Sequence, residues 1–414
     1  MAKGTNLHIK IKSDRAPRSA ENVQWIGLTR PHGPSWYQAW LSSQFEELPS
    51  SILDIFHVDH ERCTSESHWE CFVSAFLAIS ECIASTSAIT IDGIIIQLLE
   101  KSVIATDASY DSLQYARYFV FSVLGWQTML FKPAHPTEPV HQLTIEEQRG
   151  CCEYTHMSLQ QDMRVCEQDP LSEFLMGFGV LLPSKNICLN DDQDVLHIFH
   201  QQVEVSARTF NAYNLSSITG IRIKWVDTLA CHLAFNASTR ELSLFQCPSF
   251  CQFCLLTYES LGQGSIHACA TTSKLRCQWA TEDEVNQLLR EILLSYRLLF
   301  GQTKRSRVLF RSLNPFAQCS KPSRDPLLST LCGKKPCFPG LVQKERYYLS
   351  QDFPVLRYRI AVLQRQLATT TPCTWVQLWR DKRDSANWLT FWAVIFFGAF
   401  GSLMSLLQVV LQFV

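Results

Sequence analysis

Thiols and imidazoles are the side chains in this sequence best suited to chemistry, and they cluster. The run Cys247-Pro-Ser-Phe-Cys251-Gln-Phe-Cys254 is followed by His267 and Cys269, and Cys231 and His232 lie just upstream. Cys251 and Cys254, separated by two residues, can join His267 and Cys269 in a tetrahedral zinc site, as a zinc-stabilised module or metalloenzyme would need. The same stretch also reads as plain core. Phe250, Phe253, Leu255 and Leu256 are interleaved with the thiols, and only one Cys-x-x-Cys pair is present. Buried cysteine is the reading carried forward, with zinc as the alternative.

A second group, His57, His60, Cys63, His68 and Cys71, also has ligand types at short spacing. Asp59, Glu61, Glu66 and Glu70 surround it, and a polar loop between two helices accounts for it equally well. Asp227 follows Trp225-Val226 and reads as a hydrogen-bonded turn between strands rather than a catalytic carboxylate. The sequence contains no Gly-x-Ser-x-Gly elbow, no Gly-rich phosphate loop with its Lys, and no His-Glu-x-x-His. No catalytic residue and no cofactor is therefore assigned. The leading expectation is a non-catalytic interaction or regulatory protein, with the zinc-dependent module or enzyme as runner-up.

The elements that position these residues are legible in part. Residues 1–34, with the short basic run HIKIK, read as a flexible arm. A helical unit is expected over 35–132, with helices at 71–84 and 92–101 and a third from Ser112 that stops before Gly125. Pro133, Pro136 and Pro139 mark 133–143 as a linker. An α+β unit is expected over 144–301. It would open on a capping box of Thr144 and Glu147 and continue through a short helix at 171–176. The alternating runs GIRIKW, LACHLAF and RELSLF predict an antiparallel meander over 221–245. Thr281 with Glu284 predicts a second capping box, on a helix whose apolar positions are Val285, Leu288, Leu289, Ile292 and Leu293. Residues 302–351 read as an irregular connection, 352–387 as a basic juxtamembrane helix and 388–411 as a transmembrane helix. The fold class expected is α+β, helical first, with a small antiparallel sheet second and one C-terminal transmembrane helix.

That last helix is the clearest feature of the chain. From Trp388 to Val414 there are 27 residues and no charge, about 40 Å of helix against a hydrocarbon layer of about 30 Å. Fifteen of them are Leu, Ile, Val or Phe, worth about 5 to 9 kcal/mol of insertion before the polar positions are counted. Arg380, Lys382 and Arg383 precede the span and Trp388 and Trp392 sit at its entry. This order predicts a tail-anchored, single-pass protein with its N-terminal body in the cytosol. A core helix of a globular domain is the bland alternative, but it would carry a polar stripe.

The partner this implies is the lipid bilayer, with the endoplasmic reticulum as the expected organelle. Protein partners are expected too, and Gly398 with Ser402 and Gly401 with Ser405 suit self-association through the span. Lys plus Arg number 37 against 38 for Asp plus Glu, so no field favours nucleic acid. The first residues carry no apolar secretory segment, so the 17 cysteines are expected mostly as free thiols in a reducing compartment.

Three stretches carry a family resemblance. Ile223-Lys-Trp-Val-Asp-Thr-Leu-Ala-Cys-His-Leu-Ala-Phe235 and Leu244-Phe-Gln-Cys-Pro-Ser-Phe-Cys251 are two of them, with GWQTMLFKP at 125–133 similar as well. The third is Leu378-Trp-Arg-Asp-Lys-Arg-Asp384 running into Leu389-Thr-Phe-Trp-Ala393. Together they resemble a group of uncharacterised filamentous-fungal proteins with a single C-terminal membrane helix. The resemblance implies that architecture and a fungal source, and carries over no activity and no catalytic residue.

Overall fold

The structure is a computed structural model that describes residues 35–56, 65–86, 88–105, 110–135, 141–146, 159–178, 197, 200–262, 264–271, 281–313, 324–334, 343–370 and 385–412. The fold is α+β, dominated by helices, with small sheets and one long apolar C-terminal helix. The arm at 1–34 and most of the His57–Cys71 group lie outside the described residues.

Four long helices come first among the described residues, with a single turn at Ser50–Leu53 between the first two: α1 (Ser35–Glu46), α2 (Ser65–Ser85), α3 (Ile91–Glu100) and α4 (Tyr110–Thr128). In α3, the Thr90 side chain accepts a hydrogen bond from the Gly93 N–H at 3.0 Å, and Ile91, Ile94, Ile95 and Leu98 form the buried stripe. Asp92 on the same helix takes both prongs of the Arg117 guanidinium from α4, the Nε contact being 2.7 Å. That two-pronged geometry fixes how α3 lies on α4.

Helix α4 does not stop at Gly125 but runs on to Thr128. The glycine is there for proximity. A Cβ built on it would lie 2.9 Å from the Phe131 ring, 3.1 Å from the Phe131 carbonyl oxygen and 3.2 Å from Pro133 Cδ. The chain leaving the helix folds back against that glycine, which reads in sequence like a terminator.

Strand β1 (Gln142–Thr144) pairs antiparallel with β2 (Gln160–Asp162), so Thr144 ends a strand instead of capping a helix. The helix expected through Cys151 and Cys152 lies outside the described residues. Helix α5 (Leu171–Met176) falls where the pattern placed it. Strand β3 (Glu204–Ser206) leads to α6 (Ala212–Thr219), which is capped by Asn211 and ends on Gly220 in the left-handed region at φ +72°.

The meander expected at 221–245 is corrected by the structure. Strands β4 (Arg222–Val226), β5 (Phe235–Asn236) and β6 (Glu241–Phe245) stand in the order β4-β6-β5. Hence β6 runs parallel to β4 and antiparallel to β5. The alternation of LACHLAF suggested a half-exposed strand, but residues 229–234 are buried on every side, and Leu229–Cys231 is a 3-10 turn. That turn carries the chain past β6 to its far edge. A tight turn on Asn236, whose Oδ1 accepts from the Ser238 N–H and hydroxyl and the Thr239 N–H, then inserts β6 between the two earlier strands.

Helices α7 (Pro248–Leu261) and α8 (Ser265–Ala270) follow, then α9 (Glu282–Tyr296), which opens on the expected capping box of Thr281 and Glu284. A π-turn, Arg297–Gly301, extends it. The stretch expected to be irregular holds α10 (Lys304–Leu313), α11 (Pro326–Leu331) and β7 (Arg346–Tyr348), the last paired antiparallel with β3. Among its described residues Pro326 opens α11 and Lys304, Arg305, Arg311 and Arg346 are exposed, which is why the stretch reads as loop. Helix α12 (Arg357–Thr369) is shorter than the expected juxtamembrane helix, and α13 (Ser385–Gln412) closes the described chain.

The buried side chains on either side of the Pro-rich stretch form one continuous hydrophobic core. Gln127 on α4 is its polar seam. Its Nε2 donates to the Phe76 carbonyl at 2.7 Å, and its Oε1 accepts from the Ser265 hydroxyl at 3.1 Å. The Leu229 N–H donates to the Met129 carbonyl at 2.8 Å, and Tyr37 donates to the Trp126 carbonyl at 3.2 Å.

Two stability outcomes follow from these contacts. Gly125→Ala forces a methyl against the returning backbone and is expected to cost about 1–3 kcal/mol in denaturant unfolding of the chain in detergent. Gln127→Leu, which removes the amide that bridges the Phe76 carbonyl and the Ser265 hydroxyl, is expected to cost about 1–3 kcal/mol in the same measurement.

Candidate functional site: the buried polar groups and the C-terminal helix

Cys251 and Cys254 lie one turn apart on α7, while His267 and Cys269 lie on the short α8. All four are buried. Cys251 and Cys254 lie in each other's electrostatic reach, with Asp325 beside Cys251 and Tyr37 beside Cys254. Burial pushes Cys251 and Cys254 well up and Cys269 to about 12, which keeps them as thiols at neutral pH. The His267 Nε2 pairs with Asn286 Oδ1 at 3.0 Å, and its ring stacks on Tyr258 at 4.4 Å. Among the described residues no group of three or more His, Cys, Asp or Glu side chains is placed to hold a metal. The four residues that spacing grouped as zinc ligands are thus not gathered into a ligand set.

Among the described cysteines eight are free, and Cys231 is disulfide-bonded. The thiols of α7 and α8 are buried within the hydrophobic core.

His232, next to Cys231, is fully buried and has both nitrogens engaged. Nδ1 accepts from the Phe245 N–H at 3.2 Å, which leaves the proton on Nε2 to donate to Ser295 Oγ at 2.7 Å. Ser295 passes its own proton to the Ile292 carbonyl at 2.7 Å. Burial, then the nearby Arg359 guanidinium, lowers the His232 pKa to about 3. The ring is a neutral structural link between β6 and α9, without a free lone pair for catalysis.

The groups that sequence reasoning missed are the buried ions. Glu291 accepts the Val355 and Leu356 N–H groups at 3.0 and 2.7 Å, at the entry to α12. Arg359 donates to the Ala230 and His232 carbonyls at 2.7 and 2.6 Å. Asp325 accepts from the Ser249 N–H and hydroxyl and the Leu327 N–H, so one carboxylate caps both α7 and α11. Arg297 donates to the Leu331 and Gly333 carbonyls at the other end of α11. These signs match the helix ends they meet. One signal was present: Glu291 interrupts the apolar face of Leu288, Leu289, Ile292 and Leu293. Asp227 does sit at a turn, accepting from Trp40 Nε1 at 3.5 Å and from Gln246 Nε2, which ties α1 to the sheet. Burial holds its carboxyl above the usual range.

The C-terminal helix is of another kind. Leu389–Val409 has a mean hydropathy of 1.8 over its most apolar window, and none of that window is buried against the body. Twelve of the exposed large apolar side chains among the described residues lie on α13, and five lie elsewhere. A core helix of a soluble domain is mostly covered. This one is long and apolar enough to cross a membrane and shows every face.

Two outcomes follow from the buried groups. Glu291→Ala orphans two buried N–H groups and is expected to cost about 2–3 kcal/mol in denaturant unfolding, with Glu291→Gln costing less. The unfolded chain takes up a proton at His232 near pH 6.5, well before the folded chain does near 3. Its contribution is therefore whole above pH 6.5 and is lost as the pH falls towards 3. His267, also lowered by burial, acts in the same sense, while Asp227 and Asp325, raised by burial, oppose it at lower pH. Between pH 7.5 and 5 the wild type is expected to lose about 2 kcal/mol that His232→Gln does not lose, read from paired denaturation curves.

Compared with protein-family models, with curated proteins and with solved structures, the chain gives no match in any of the three.

Proposed function

We propose that this is a single-pass membrane protein in which α13 spans the bilayer and tethers a non-catalytic interaction or regulatory body on the cytosolic side. The observation that carries the reading is the apolar surface of Leu389–Val409, whose most apolar window has no buried residue. In water such a helix would expose far more contiguous apolar area than a soluble protein tolerates. Arg380, Lys382 and Arg383 ahead of the span support the cytosolic side for the body. The preponderance of free thiols suits a reducing compartment. The resemblance to fungal proteins with one C-terminal helix supports the same architecture, and the endoplasmic reticulum is the membrane proposed. The interaction role rests on polar groups that are committed to holding the fold together.

The Cys231 disulfide favours a second reading of orientation, with the body in an oxidising compartment. Two sequons discriminate between the two. Asn214 has its Nδ2 committed to the Thr209 carbonyl at 2.8 Å, whereas Asn236 sits in an exposed turn with only its Oδ1 engaged. Asn236 is the reporter: its glycosylation overturns the cytosolic orientation.

The anchor has its own test. The intact chain is expected to stay with membranes through carbonate extraction. Phe397→Arg with Phe400→Arg, each costing about 3 kcal/mol near the middle of the span, should release it to the supernatant. Release of the wild type, or retention of a chain cut before Trp388, removes the reading.

A further inference from the structure

Helix α10 is the most basic element of the described surface. Its sequence KRSRVLFRSL holds four cations and no carboxylate. Phe310 and Ser306 face inward: Phe310 packs on Phe300 at 5.4 Å and on Trp225 at 6.1 Å, and Ser306 bonds Asn211 at 3.1 Å. Lys304, Arg305, Arg311 and, among them, Val308 face outward, Val308 being 52% exposed. Arg305 is held over the Tyr213 ring at 5.3 Å, and Arg307 is half-buried on the Gly301 carbonyl at 2.7 Å.

What marks this face is the gathering of four cations without counter-charge on one short helix. Several exposed cations elsewhere take carboxylates: Lys101 with Glu81, Arg164 with Asp162, Arg208 with Glu345, Arg222 with Glu241 and Arg346 with Glu204. Among the described residues none of the four cations of α10 has such a partner. A rigid helix presenting unpaired Lys and Arg around a protruding apolar side chain has the chemistry of a membrane-surface contact.

Its place in the fold fits. Helix α10 packs on α6, and α6 packs on α12, the last described helix before the span. Residues 370–384, fifteen in all, join α12 to α13, so the end of α12 lies within about 55 Å of the span's entry even if that connection is fully extended. Arg365 adds an exposed cation on α12 itself.

We infer that α10 docks the body onto the anionic phospholipid headgroups of the membrane that holds α13, with Lys304, Arg305 and Arg311 facing phosphates and Val308 entering the interface. The inference rests on α13 as a membrane span. Docking through α10 would hold the body in one orientation on the bilayer instead of leaving it to swing on its connection.

The test is hydrogen–deuterium exchange of the full chain in nanodiscs of phosphatidylcholine alone and in nanodiscs containing about 30 mol % phosphatidylserine. Amides of 304–313 are expected to exchange about threefold or more slowly in the anionic discs, and to lose that protection in about 0.5 M salt, where the Debye length shrinks to a few ångströms. Amides of α3, far from any basic run, should not change. Lys304→Glu with Arg305→Glu and Arg311→Glu should abolish the difference; the lipid comparison on the wild type stands without that variant. Equal exchange in both discs overturns the proposal while the anchor stands. Equal protection in both discs points to a protein contact or self-association and also overturns it. A chain that does not stay with the discs overturns both readings.

Discussion

A charge taken out of water must be compensated where it comes to rest, and the second half of this protein is organised around that requirement. Glu291, Asp325, Arg297 and Arg359 are buried, and each spends its oxygens or N–H groups on backbone that would otherwise be orphaned. The carboxylates meet helix starts and the guanidiniums meet carbonyls at a helix end or in the turn beside β5. The result is directional. Hydrophobic burial holds elements together without fixing their angles, whereas a carboxylate that accepts two successive N–H groups fixes where a helix begins.

His232 belongs to the same scheme in neutral form. Its two nitrogens join β6 to α9, and the carbonyl of the same residue receives Arg359 from α12. A motif search prizes such a residue because imidazole titrates near neutrality. Here burial has removed that property. The thiols of α7 and α8 follow the same logic, since surroundings that make good packing make poor thiolates.

How much of this was legible depended on the range of the interaction. The capping box at Thr281 and Glu284, the α5 helix and the apolar periodicity of α3 and α9 are local, and the sequence shows them. The long apolar C-terminal helix was the plainest of all, because it needs only length and composition. What misled was always a tertiary contact: Gly125 making room for Phe131, and LACHLAF buried on all sides instead of one. Alternation says that a residue's neighbours face the other way, not that the other way is water. Spacing along the chain likewise does not say which way successive helices turn their thiols, so it cannot by itself gather a ligand set.

The single core, sewn across the Pro-rich stretch by Gln127, bears on the order of events in synthesis. Ser265 must emerge before the Gln127 link can close, and Glu291 waits for Leu356. Every one of those residues precedes Leu389. At roughly 5–20 residues per second, a second or more separates Leu367 from Leu389, where the apolar stretch begins. The ribosome thus completes every residue of the shared core before it starts on the greasy end.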